Sequence, residues 1–215
     1  MSWLMAAVYD RCMRGSEEAC LAQWRAELLR DLSGAVLEVG AGTGVTLTHY
    51  PRSIARLVLC EPDAHMRRKL KKKVDAPALR NIEISDASLD SLTFKAGEFD
   101  AVVCSLVLCS VSDQRAALAE IARVLKPGGR LVFLEHVAAD GRPARLKWQQ
   151  RIEPVWKRLM GNCHLTRRTE AAIAAAGFEI ERIQRESIRK ALPIVRPSIH
   201  GIARKVMTPF VENES

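Results

Sequence analysis

Apolar residues recur at Leu21, Trp24, Leu28, Leu29 and Leu32 before Ser33-Gly34, a helical spacing that predicts an amphipathic helix leading into a strand. The pattern then changes. Short apolar runs at Ala35–Val39, Leu57–Cys60, Ile82–Ile84, Ala101–Ser105 and Arg130–Leu134 alternate with helical or mixed segments. This βα rhythm predicts an α/β fold, Rossmann-like, with an open and mostly parallel sheet and helices on both faces. A helix is expected over 114–125, stopped by Lys126-Pro-Gly-Gly129, which turns the chain back into the sheet.

Beyond Glu135 the rhythm breaks. Residues 138–143 are turn-like, and 145–160 hold two of the four tryptophans, so an insertion over 138–165 is where a substrate cover is expected. Thr166 to Ala176 reads as a helix, Phe178 to Gln184 as an alternating strand and Ser198 to Val206 as a last strand, which brings the expected sheet to seven strands. No repeat or linker divides the chain. One domain over 1–215 is expected: N-terminal helices over 1–33, a ligand-binding core over 34–137, the cover, and a C-terminal helix and strands over 166–215.

Composition narrows the class. At 215 residues, 48% hydrophobic and 27% charged, the chain can bury one full α/β core. No run of about 18 apolar residues suggests a span, and charged residues at positions 10, 11 and 14 interrupt any leader, so a cytoplasmic protein is expected. Trp3, Leu4, Met5 and Val8 would form one apolar face of a short N-terminal helix, suited either to closing the core or to peripheral membrane contact. The net charge of +8 is concentrated partly in 67–73, a run that a helix spreads over a solvated face. The six cysteines show no CxxC pair and no His/Cys cluster at zinc spacing, so free thiols and no metal are expected.

The chemistry begins at VLEVGAGTG, residues 36–44. A dinucleotide fingerprint would place its third glycine where Val45 stands, and a phosphate loop would end in Gly-Lys-Ser/Thr, whereas Thr46-Leu47-Thr48 has no lysine. S-adenosylmethionine fits better. Glycines admit its methionine part to the backbone, Glu38 suits its positive end through charge-assisted bonds, and Glu61 offers two acceptor oxygens to the ribose hydroxyls.

With Glu61-Pro62-Asp63, Phe99-Asp100 and the 125–131 stretch LKPGGRL, residues 35 to 135 resemble the class I S-adenosylmethionine-dependent methyltransferases. The resemblance implies cofactor contacts at Glu38, Gly40, Ala41, Gly42, Gly44, Glu61, Pro62, Met66, Ser105 and Leu106. For adenine it implies the loop after the third strand: the Ser88 hydroxyl, the Leu89 backbone, or Asp86.

The later half, with VCSLVLCSV at 103–111, Glu135-His136-Val137, WQQRIEPVWK at 148–157 and CHLTRRT at 163–169, is similar to the methyltransferase-like seven group, whose animal members are thiol S-methyltransferases. The resemblance implies an N-terminal hydrophobic anchor in those relatives, which is not expected in this sequence, and His164 stands where their pattern tends to show a second cysteine. The implied acceptor is a small apolar thiol. Methyl transfer needs in-line placement of the reacting atoms, and a thiol with an ordinary pKa of about 8.5 must also lose its proton. His136, expected at the carboxyl end of the fifth strand, is a candidate to take or orient that proton. Glu135 is a candidate to position His136 or an amine. Tyr9, Cys109, Trp148, Gln149 and Cys163 are candidate acceptor contacts, with Trp156 in the same cover and Tyr50 near the cofactor. Rival acceptors are a phospholipid amine, or a carbon or oxygen of a quinone-like metabolite. A nucleic-acid acceptor is disfavoured because Ser105-Leu106-Val107-Leu108 replaces the Asn/Asp-Pro-Pro-aromatic tetrad. A non-catalytic module would not require the whole cofactor set.

Overall fold

The computed structural model describes residues 11, 13–74 and 81–206. Seven strands, β1 Gly34–Val39, β2 Ile54–Cys60, β3 Ile82–Ser85, β4 Phe99–Ser105, β5 Leu125–His136, β6 Phe178–Ser187 and β7 Pro197–Lys205, form one sheet in the order β3-β2-β1-β4-β5-β7-β6. The first five run parallel, and β7 is antiparallel to both β5 and β6. A π-helical turn, Glu17–Leu21, leads into α1 Ala22–Leu29; it is followed by α2 Ala64–Val74, α3 Gln114–Val124, α4 Pro143–Leu159 and α5 Thr169–Ala175.

The apolar runs of the central strands are continuous because both faces are covered. Leu37, Val39, Val102 and Phe133 pack with Leu118 and Ile121 of α3 on one side. Val36, Val103 and Val132 pack with Trp24, Leu28 and Leu29 on the other. The expected helix forms over Ala22–Leu29, ending before Leu32, and the stripe from Leu21 to Leu32 is buried. The basic run behaves as a solvated face: α2 buries Met66 and Leu70 while Lys71, Lys72 and Lys73 are exposed. α3 begins at Asp113, whose Oδ1 accepts from the backbone N–H of Arg115 and Ala116, the usual satisfaction of orphan donors at a helix start.

Two boundaries differ from the sequence pattern. Helix α3 stops at Val124, but Lys126-Pro127-Gly128-Gly129 lies inside β5 instead of forming a turn outside the sheet. Leu125 pairs with Phe99 and Arg130 with Ala101, so the extra residues bulge out of the ladder, with Gly128 at φ 71° supplying the left-handed conformation. Helix α5 starts at Thr169, later than the periodicity suggests. Thr166 Oγ1 and the Leu165 N–H instead donate to Glu153 of α4 at 2.6 and 3.1 Å, which holds that segment out of the helix.

β1 sits between β2 and β4, so the chain leaves it first to one side and later to the other. The carboxyl ends of β1 and β4 therefore border the topological switch point, where open α/β sheets bind ligands.

Candidate functional site

The loop leaving β1 reaches the switch point through three left-handed glycines, Gly40, Gly42 and Gly44, of which the first two have different roles. At Gly40, φ +64°, an added Cβ would lie 2.5 Å from Val107 Cγ2, so a side chain there collides with the loop after β4. At Gly42, φ +58°, the nearest atom to such a Cβ is 3.9 Å away. The space over Gly42 is open, as a loop that lets a ligand approach its backbone requires. Ala41 is buried, with its N–H donating to Cys60 O at 2.9 Å, and Gly44 N–H donates to Ala41 O at 2.9 Å, closing the turn.

Glu61, at the end of β2, accepts from the Gly42 N–H and the Asp63 N–H, each at 2.8 Å. One carboxylate thereby links the glycine loop to the start of α2, and burial raises its pKa. Asp63 caps α2 by accepting from His65 and Met66 N–H. Pro62 is exposed beside Glu61, and Met66 is buried beneath.

Glu38 lies deeper than its sequence position suggests. Thr46 Oγ1 is 2.7 Å from both of its oxygens and Tyr50 OH donates to Oε2 at 2.8 Å. Its carboxyl is 2% exposed and is pushed up to about 7, chiefly by burial. Tyr50 thus holds Glu38 in place, and its own phenol is pushed up by burial and by that carboxylate.

Arg25 is a residue the sequence reading missed. It extends from α1, is 4% exposed, pairs with Glu17 and donates through Nε to Ser105 Oγ at 3.3 Å. Its charge also favours ionised Glu38. The signal was present: Arg25 occupies the apolar stripe of Leu21, Trp24 and Leu28, where an unpaired cation would be costly. Leu106 follows at φ 58°, a left-handed residue at the switch point, and its N–H donates to Leu134 O at 2.7 Å. On the far side, Asp86 is exposed, Ser88 is half-buried and bridged to Ser91, and Leu89 is buried in the core. Together these groups suit S-adenosylmethionine: paired oxygens for a diol at Glu61, an open backbone at Gly42, and a cation and a carboxyl group, Arg25 and Glu38, for the methionine end.

The other half of the edge is organised by Glu135. Fully buried on β5, it accepts from the backbone N–H of Val107, Leu108 and Cys109 at 2.9, 2.8 and 3.2 Å, and burial pushes it up to about 7. This corrects the expectation that Glu135 positions His136 or an amine: its carboxylate shapes the loop after β4, and no hydrogen bond joins it to His136. His136 is 5% exposed, with Nε2 2.9 Å from Cys163 Sγ and Nδ1 buried without a partner. A free proton acceptor aimed at an incoming thiol is therefore not what the structure presents.

Cys109, His136 and Cys163 converge, with their donor atoms within 4.8 Å of one another. The sequence showed no such cluster, and the fold makes one. The backbone locks the pairing, since His164 N–H donates to Cys109 O at 2.8 Å. The neighbouring Cys109 thiol pulls the Cys163 thiol well below its usual range, and His136 adds to the effect. The nearness of the two thiols, together with burial, pushes Cys109 up. Arg167 donates to the carbonyls of Leu108 and Val111, and Asn162 Nδ2 to Ser110 O, fastening the α4–α5 connection over this loop.

The cover residues divide. Trp148, a candidate acceptor contact, is 59% exposed on α4. Gln149 is buried, with Oε1 accepting from Ala139 N–H at 2.7 Å and Nε2 donating to the carbonyls of Val137 and Ile194. It has no free group for an acceptor and instead ties α4 to the end of β5. Trp156 is the tryptophan on the cluster side: its indole lowers the Cys163 thiol slightly, while its Nε1 is buried without a hydrogen-bond partner. His164 is turned away toward Glu153, 3.2 Å from Oε1. Tyr9 lies outside the described residues, as does the proposed apolar face at Trp3, Leu4, Met5 and Val8. No helix among the described residues is long and apolar enough to cross a membrane.

Comparison with known proteins agrees with this geometry. Residues 37–133 match the family model described as a methyltransferase domain. The chain is 36% identical over 173 residues to the human thiol S-methyltransferase TMT1A, covering 80% of this chain and 70% of that one. It is 38% identical over 174 residues to human TMT1B, with the same coverage. A solved geranyl diphosphate methyltransferase in complex with S-adenosylmethionine superposes with a TM-score of 0.67 at 14% identity, covering 88% of this chain and 86% of that one, a likeness of fold. The chain is an S-adenosylmethionine-dependent, class I methyltransferase of small-molecule type and belongs to the family of the thiol S-methyltransferases TMT1A and TMT1B.

Proposed function

We propose that the enzyme methylates the sulfur of a small, apolar thiol. The observation that carries this reading is its similarity, over 80% of the chain, to two proteins named as thiol S-methyltransferases. The sulfur-rich edge at Cys109, His136 and Cys163 supports it.

S-adenosylmethionine supplies an electrophilic methyl group on a sulfonium. The chain's part is to hold and orient. Glu61 receives the ribose hydroxyls while it keeps the Gly42 turn in shape. The open backbone at Gly42 would let the loop lie close to the methionine part, with Gly40 and Gly44 packing the turn against Val107, Leu47 and Leu70; Arg25 would face its carboxylate, and the oriented Glu38 would lie behind them as the counter-charge. Ser105 and Leu106 form the floor at the end of β4, and Asp86, Ser88 and the Leu89 backbone border the adenine. The loop 106–109, pinned by Glu135, forms the wall between cofactor and acceptor. Holding the reacting atoms near 3 to 3.5 Å then supplies much of the rate.

The test is a methyl-transfer assay with labelled S-adenosylmethionine, comparing alkyl and aryl thiols with matched amines, phenols, quinols and phosphatidylethanolamine vesicles. Turnover confined to thiols is the expected result. Label appearing in amine, lipid or quinol, with the thiols inert, overturns S-methylation and leaves the cofactor site intact.

A further inference from the structure

Two thiols and an imidazole share one buried space, and the sequence offered no hint of it. Cys109 comes from the loop after β4, His136 from the end of β5, and Cys163 from the connection between α4 and α5. Cys109 and His136 are buried and Cys163 is partly exposed. His136 turns Nε2 to the sulfurs, 2.9 Å from Cys163 Sγ, and keeps Nδ1 buried on the other side of the ring.

We propose that Cys109, His136 and Cys163 bind a zinc ion through two sulfurs and one imidazole nitrogen, with the fourth position open to the acceptor thiol. The geometry fits: the three donor atoms lie within 4.8 Å of one another, and tetrahedral zinc with its usual bond lengths needs edges of roughly 3.5 to 3.8 Å. The site closes by small side-chain shifts, with His136 Nε2 and Cys163 Sγ parting from 2.9 Å. The donor chemistry selects the metal, because thiolate and imidazole suit zinc and the absence of carboxylates disfavours calcium and magnesium. Charge agrees as well: two thiolates and a neutral imidazole around a divalent ion sum to zero, the state a buried site tolerates best. Among the described residues no fourth His, Cys, Asp or Glu joins the group. Three protein ligands with an open position is the composition of catalytic zinc sites, whereas structural ones are closed by a fourth ligand. His136 then serves as a metal ligand, consistent with its Nε2 facing sulfur and not open space.

The role of the open position rests on the S-methylation reading. An acceptor thiol would displace bound water as its sulfur joins the zinc, releasing its proton to solvent. The sulfur's electron pair then forms the new S–CH3 bond as the methyl–sulfonium bond breaks, the breaking bond's pair staying on the departing sulfur of S-adenosylhomocysteine. The neutral thioether product is a poorer ligand than the thiolate and leaves.

The experiment uses the full chain, kept reduced with a phosphine, loaded with zinc or cobalt(II) and desalted. About one equivalent of retained metal is expected, with an intense sulfur-to-cobalt charge-transfer absorption. Cys163→Ser, at the most exposed ligand, should weaken retention by roughly tenfold or more, since even loss of an outer-shell partner costs 10- to 100-fold. A benzylic thiol should shift the cobalt absorption. No retained metal and no such absorption in folded protein, with Cys109 and Cys163 titrating as free thiols after denaturation, overturns the site. Thiol methylation by that metal-free protein would leave the S-methylation reading standing. Retained metal whose spectrum ignores added thiol, with methylation unaffected by chelation, overturns the role of the open position.

Discussion

Replacing Glu61 with alanine separates the cofactor site from the rest of the molecule. Its carboxylate accepts from Gly42 and Asp63 N–H at 2.8 Å each, and in the proposed bound state it would accept from the ribose hydroxyls. Removing it takes away charge-assisted hydrogen bonds to the ligand, each worth about 1.5 to 3 kcal/mol, and frees the Gly42 turn. Loss of one such bond corresponds to a rise in Kd of roughly 10- to 150-fold. Glu61→Gln keeps one good acceptor but turns its amide toward one of the two backbone N–H groups, so its loss should fall between wild type and alanine. Isothermal titration calorimetry with S-adenosylmethionine and S-adenosylhomocysteine reads the effect, with circular dichroism checking that each variant is folded. Both ligands should weaken alike, since both carry the same ribose. A folded Glu61→Ala protein with unchanged affinity would refute the placement of the ribose at the end of β2.

Three further outcomes follow from buried groups. Glu135→Ala strands three backbone N–H donors at Val107, Leu108 and Cys109, and at about 1 to 3 kcal/mol for each unsatisfied group a loss of at least about 3 kcal/mol is expected in urea unfolding; a loss below about 1 kcal/mol would contradict the role given to this carboxylate. Glu38, pushed up to about 7 from 4.5, binds its proton more tightly folded than unfolded. Its contribution to stability is full below pH 4.5 and is lost as pH rises through 7, by up to about 3 kcal/mol. Glu38→Gln should therefore gain stability relative to wild type between pH 5 and pH 8, and parallel denaturation profiles would count against it. Gly201→Ala places a methyl 2.1 Å from Arg182 O and 2.9 Å from Phe133 Cζ, so an overpacking cost of about 1 to 3 kcal/mol should lower the melting temperature by several degrees; an unchanged melting temperature would show that β6 and β7 yield there.

Much of this molecule is local and was therefore legible. The apolar runs of β1, β2 and β4 and the stripe of α1 are set by periods of two and 3.6 residues, which need no partner to be seen. The glycine spacing from Gly40 to Gly44 and the acids Glu38 and Glu61 lie next to the strands that carry them, so the ligand class followed from neighbours in sequence. The boundaries at Leu125 and Thr169 were less legible, because a bulge against Phe99 and hydrogen bonds to Glu153 decided them.

Side-chain roles depended on distance in the chain. Glu135 could be placed at a strand end, but only the approach of loop 107–109 makes it a cap for three N–H groups. Trp148 and Trp156 share one helix, and its packing exposes the first and turns the second to Cys163. From the sequence alone came the mostly parallel sheet and a loop shaped for S-adenosylmethionine, since backbone periodicity and glycine conformation act over a few residues. Only the tertiary structure brought Cys109, His136 and Cys163 together and set Arg25 against Ser105, because hydrogen bonding and coordination act over a few ångströms between residues far apart in the chain, and strand order with helix packing decides which of them meet.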